Sequence, residues 1–294
     1  MKIKILFLLL FPILTFAQKQ KIQLVDKETK KALQFVELLY NNESFFSDKN
    51  GNIFIDFNDN KLEIKDGNYK CNLIEITPTT KVIELQTQIT ELDEMVISKK
   101  ARIIIAPQNK KIRDYFYIGS DMIFLNEVVF NPEFQNKYLR KVSFKTVPSI
   151  PANFETSVKK KDFKENRNKQ IQAIQLLRLN IFDQNKEVIY KSNPIEYITS
   201  EKQSFEIDIF EDILITDKAI FIEIQVIGFL DETGQFSDYY STIRPEQTKI
   251  VPNDYKLNLL SKKRGSEKEF LDPIKLNVIP EGYINFGFEF ENLE

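Results

Sequence analysis

Apolar and polar residues alternate in short runs along most of this chain. Ile53, Ile55 and Phe57 stand opposite Asn52, Phe54 and Asp56, and Phe205, Ile207 and Ile209 opposite Glu206 and Asp208. Ile220, Ile222, Ile224 and Val226 oppose Glu223 and Gln225, and Ile284, Phe286, Phe288 and Phe290 oppose Asn285, Gly287 and Glu289. A period of two describes a strand with one face in a core and one towards water. Further strands are expected over residues 22–25, 33–40, 62–65, 72–76 and 81–85, with Leu33, Phe35 and Glu37 sharing one face of the second. In the later part of the chain they are expected over 122–130, 138–147, 173–182, 239–243 and 257–260. In 173–182 the apolar residues change phase at Leu176-Leu177, the signature of a β-bulge. Many short strands without helices predict an all-β protein built from sandwiches.

Turn chemistry punctuates this pattern. Ser47-Asp48-Lys49-Asn50-Gly51 lies between two apolar runs, and Asn-Gly tolerates the positive φ of a tight hairpin turn. Asp48, Asn50 and Gly51 are therefore turn residues. An oxygen-rich calcium loop is the other chemistry such side chains support, but the alternating acids and terminal Glu of an EF-type loop are absent. Asp66-Gly67 marks another turn.

Composition narrows the setting. The chain has 294 residues, enough for two domains. Its 25 Phe and 11 Tyr, with only 8 Gly, favour strands. The formal charge of −2 leaves no basic footprint for nucleic acid. Two lysines, Lys2 and Lys4, precede an apolar stretch over 5–16, and Thr15-Phe16-Ala17 leads into the polar run Gln18-Lys19-Gln20-Lys21. That order is a secretory signal peptide over 1–17, cleaved after Ala17. It is short for a membrane span, and no Cys follows the cleavage point to carry a lipid.

The residues after the leader carry a resemblance. Residues 22–26, the stretch Lys31-Ala32-Leu33-Gln34-Phe35-Val36, the Ser47–Gly51 turn and Val82-Ile83-Glu84-Leu85 come in the order of a known module, and residues 89–97 resemble its usual end. The module is the carboxypeptidase-regulatory-like domain, which the stretch 18–97 resembles. The resemblance implies a seven-stranded prealbumin-like sandwich and a Gram-negative envelope setting, with no peptidase activity of its own. A basic linker over 98–111, with Ile103-Ile104-Ile105 as one short docked strand, then leads to a larger β-sandwich over 112–294. The later series of strands resembles the jelly-roll accessory domains of envelope proteins.

Candidate chemistry is sparse. His is absent, which removes the commonest general base and metal ligand, and Cys71 is the single Cys. No nucleotide loop, zinc-protease motif or nucleophile elbow is present. We therefore expect a non-catalytic, exported protein of the periplasm or outer membrane, without cofactor or metal, which binds or scaffolds an envelope protein or glycan. Any membrane contact is expected to be indirect. The polar side of 219–228, carrying Glu223 and Gln225, is the expected interaction surface. The alternatives left open are a glycan-binding accessory protein and a glycoside hydrolase using two carboxylates.

Overall fold

The structure, a computed structural model, describes residues 19–66, 69–70, 73–87, 102–107, 118–119, 122–148, 174–198, 201–230, 233–236, 242–248, 253–264 and 283–292. The leader at 1–17, Cys71 and most of the expected linker lie outside them. The fold is all-β, as the alternation predicts. The chain divides into two compact units, Met1–Asp93 and Glu94–Glu294.

In the first unit β1 (Gln20–Asp26) is the middle strand of a three-stranded sheet, antiparallel to β4 (Asn52–Ile55) and parallel to β7 (Val82–Leu85). A four-stranded sheet runs in the order β3 (Glu43–Phe46), β2 (Glu37–Tyr40), β5 (Lys61–Ile64), β6 (Leu73–Glu75). Ile22, Leu24, Ile53, Ile55, Ile83 and Leu85 of the first sheet share one core with Leu38, Tyr40, Leu62 and Ile64 of the second. Seven strands are thus packed as a sandwich.

The Asp48–Gly51 turn is present, but its setting differs from the hairpin expected. Gly51 alone takes a positive φ, +73°, whereas β3 and β4 on either side belong to different sheets. The segment is a corner between layers, held by the buried Asp48. Its Oδ1 accepts the amides of Asn50 at 2.8 Å and Asn52 at 2.7 Å, and its Oδ2 accepts Asn52 Nδ2 at 3.2 Å. The two-residue hairpin loop lies at Asn41-Asn42, both at positive φ, between β2 and β3. The expected strand over 33–40 is shortened for a related reason: Phe35 sits at φ +57°, so the ladder begins at Glu37 and the core face is Val36, Leu38 and Tyr40.

The second unit has two principal sheets, with every ladder antiparallel among the described residues. One runs β13 (Val188–Lys191), β12 (Ile174–Phe182), β16 (Ile220–Phe229), β10 (Met122–Phe130), β19 (Tyr255–Lys263), with β14 (Ile195–Ile198) also paired to β12. The other runs β15 (Ser204–Leu214), β11 (Lys137–Lys145), β21 (Gly287–Asn292), β8 (Arg102–Ile105). Two short pairs, β9 (Ile118–Gly119) with β17 (Thr242–Ile243) and β18 (Gln247–Thr248) with β20 (Tyr283–Ile284), complete the strands. The Ile103–Ile105 stretch expected within a linker is therefore part of an edge strand of this unit, with Ile105 buried in its core.

Aromatic side chains join the two layers. The Phe130 ring of β10 meets Phe288 and Phe290 of β21 edge-on, at centroid distances of 4.9 and 5.1 Å. Such T-shaped pairs add about 0.5–1.5 kcal/mol each beyond the area they bury. The irregularity foreseen at Leu176-Leu177 is also present. Leu176 pairs with Gly228 and Leu177 with Val226, so the extra residue is Ile227 of β16.

A side chain at Gly51 meets two penalties, the left-handed φ and a Cβ placed 2.6 Å from the Leu24 carbonyl oxygen. Gly51→Val is expected to cost at least about 1–3 kcal/mol. Hydrogen exchange of the β1 and β4 amides in the full chain reads this directly, and unchanged protection contradicts the corner.

Candidate interaction surface

The expected surface at Glu223 and Gln225 is corrected by the structure. Glu223 is 2% and Gln225 1% exposed, although both lie on the face of β16 opposite Ile222 and Ile224. The physical reason is that β12 and β16 are buried on both faces: Phe221 and Ile227 flank the two polar residues and are buried as well. The polar side chains are accommodated by partners. Arg264 donates to Glu223 Oε1 at 2.6 Å, and Asn180 Nδ2 donates to Glu223 Oε2 at 2.8 Å and to Gln225 Oε1 at 3.0 Å. Arg264, just beyond β19, supplies the counter-charge from 41 residues away. This cluster holds the sheet together and offers no open binding face.

Exposed apolar and charged side chains gather instead on the outer face of the β15–β11–β21–β8 sheet. Between the pairs Lys141↔Asp208 and Leu139↔Ile213, the single residue Arg140 stands opposite four residues of β15, 209–212. The edge strand bulges there. Arg140 braces it with three groups at once: Nη1 donates to the Glu211 carbonyl at 3.2 Å, Nη2 to Asp212 Oδ1 at 2.8 Å, and Nε to Glu291 Oε2 of β21 at 2.6 Å. The guanidinium also lies 4.8 Å from the Tyr138 ring centre. Burial alone lowers its affinity for a proton, but the bonds and charges of Glu291 and Asp212 outweigh that and raise its pKa.

The bulge carries Phe210, 63% exposed. Glu206 and Asp208 precede it on the same outward side of β15. Lys141 lies between these two acids, 3.1 Å from Glu206 and 3.5 Å from Asp208, and the bond to Glu206 is the main cause of its raised pKa. Tyr190 of β13 donates its hydroxyl to the Asp208 carbonyl at 3.0 Å. Burial first, then the charges of Glu211 and Asp208, push its pKa up to about 12.

Sequence reasoning passed over this bulge, although a signal was there. Ile209-Phe210 sets two apolar residues in succession and Ile213-Leu214 repeats the break, much as Leu176-Leu177 does. What no spacing reveals is Arg140, whose partners come from two other strands.

Other concave ground lies in the first unit. A hollow of about 430 Å³ is lined by Leu39, Asn41, Asn42, Asp59, Lys61, Glu63 and Leu73. Its two carboxylates are engaged: Asp59 Oδ1 accepts the amides of Asn60 and Lys61, and Glu63 pairs with Lys65 at 2.6 Å. Asp48 and Asn50 are occupied as turn residues. Among the described residues, no three His, Cys, Asp or Glu side chains are grouped so as to hold a metal ion.

Comparison with family models and with curated protein sequences gives no match. Solved structures give remote ones. A clostridial cysteine protease, Cwp84 after propeptide cleavage, is similar at 10% identity and TM-score 0.34, over 83% of this chain and 48% of that one. The cysteine protease and lectin-like domains of Cwp84, a surface layer associated protein of Clostridium difficile, give 10% identity and TM-score 0.35, over 83% and 43%. The chain thus spans about half the length of the solved structures it matches. Likeness at this level assigns neither fold nor chemistry.

Removing the Glu223 carboxylate takes the 2.6 Å ion pair away from the buried Arg264 side chain. Glu223→Ala is expected to cost about 3–5 kcal/mol of stability in urea unfolding. A loss under about 0.5 kcal/mol, normal for a surface site, contradicts the buried pair.

Proposed function

We propose that this chain is a non-catalytic binding or scaffolding protein exported to the cell envelope, and that it recognises its partner through the outer face of the second unit's β15–β11–β21–β8 sheet. The observation that carries the reading is Phe210. A large apolar side chain is held out in water on a backbone segment that Arg140 bonds at Glu211 and Asp212 and ties to Glu291 of β21. Rigid, exposed aromatics are the typical anchors of protein interfaces, and bulges at sheet edges commonly re-aim a side chain. Fixing the segment beforehand lowers the ordering cost that binding otherwise incurs. The leader-like start of the chain supports export, and the resemblance of residues 18–97 to an accessory envelope module supports the setting in the periplasm or at the outer membrane.

Phe210 contributes little to folding at its exposure, so replacing it is expected to change stability by less than about 1 kcal/mol. With p-benzoyl-phenylalanine in place of Phe210, irradiation of cells making the full chain is expected to yield a discrete adduct with an envelope component. The same group in place of Phe54, on β4 of the first unit, serves as the control. Equal adducts from both positions, or none from position 210, contradict the reading, and turnover of a polysaccharide by the purified protein contradicts its non-catalytic part.

A further inference from the structure

The charge around Phe210 specifies the chemistry of what binds there. Resting on the reading just given, we infer that the partner contributes an extended, cationic segment of protein that lies along β15 and covers Phe210. Two observations lead to this. The first is electrostatic. Glu206, Asp208 and Asp212 keep 66%, 61% and 70% of their side-chain surface in water, whereas their counter-ions Lys141 and Arg140 keep only 23% and 19%. Glu211 adds a fourth exposed acid beside Phe210. The cations are drawn in towards the sheet and the carboxylates point out, so an approaching molecule meets negative charge. Complementary charge favours lysine or arginine on the partner and disfavours acids.

The second observation is the open ladder. β15 is the end strand of its sheet among the described residues. Thr146 N donates to Gln203 O at 2.9 Å, so the hydrogen-bonded pairs with β11 continue at Phe205 and Ile207. In an antiparallel ladder the alternate residues, Ser204, Glu206 and Asp208, then turn their amides and carbonyls away from β11. The Asp208 carbonyl takes the Tyr190 hydroxyl, which closes the edge at that point. Ser204 and Glu206 remain as a short template for an added strand. Glu206, Asp208 and Phe210 follow at alternate positions, about 7 Å apart at strand spacing. A segment in extended conformation matches both the backbone groups and this row of two carboxylates and one aromatic.

The test uses the full chain and three synthetic peptides with valine alternating with lysine, glutamine or glutamate, followed by calorimetric titration. The lysine peptide is expected to bind, with its Kd rising at least tenfold between about 50 and about 300 mM NaCl as screening sets in. Phe210→Ser is expected to weaken it at least tenfold, and Glu206→Gln combined with Asp208→Asn to remove most of the salt dependence. Urea midpoints of the variants establish that each remains folded. Binding of the glutamine peptide as tightly, with the same dependence on Phe210, overturns the cationic partner but leaves the surface in place. Binding that ignores Phe210, or no binding by the lysine peptide, overturns the inference. Concentration-dependent dimers in sedimentation that Phe210→Ser abolishes overturn it too, by giving the face to a second copy of the chain. The adduct from position 210 stands or falls independently of all three.

Discussion

One guanidinium sets the character of the second unit's outer face. Arg140 sits on β11 and reaches β15 on one side and β21 on the other, so a single side chain spans three strands. A regular ladder has no need of it. It is required because β15 carries three more residues than β11 between the last paired positions on either side. Those residues would otherwise be an unpaired loop. Hydrogen bonds to charged groups contribute roughly 1.5–3 kcal/mol each, enough to select one conformation of a short segment. The consequence passes outward: the fixed bulge presents Phe210, and the acids that neutralise Arg140 and Lys141 give the surrounding surface its sign.

The polar face of β16 follows the opposite rule, in which charge is paired and withdrawn. Glu223 and Arg264 form an ion pair with almost no solvent contact, and Asn180 links it to Gln225. This is why alternation along β16 misled. Ile against Glu and Gln at a period of two ordinarily means one wet face. The pattern here records polarity correctly and exposure incorrectly, because the partner that permits burial is distant in sequence. β12 shows the same burial: Leu177, Leu179 and Ile181 alternate with Arg178 and Asn180, and all five are buried.

Much of the architecture is legible in the sequence. The strands at 22–25, 62–65, 81–85, 122–130 and 219–228 lie inside or closely match observed elements, and a register shift falls at Leu176-Leu177 where the phase changes, though the extra residue is on the partner strand β16. The Asp48–Gly51 turn was legible as chemistry, through the side-chain cap and the glycine, but not as topology. A turn signal states that the chain reverses locally; it does not state which strands then pair. Asn41-Asn42, which makes the actual two-residue loop, lacks the glycine that marks such loops most plainly. The surface around Phe210 was the least legible part, because it depends on register between strands whose spacing in sequence says nothing of their pairing.

The central claim is that Arg140 holds residues 209–212 in one conformation and thereby presents Phe210. Hydrogen exchange of the full chain with Arg140→Met tests it most directly. The account predicts that exchange of the amides of residues 209–212 rises at least about tenfold, equivalent to about 1.4 kcal/mol of lost local stability, while β12 and β16 keep their protection. Unchanged exchange across 209–212 would show that the bulge stands without its brace and would contradict the account.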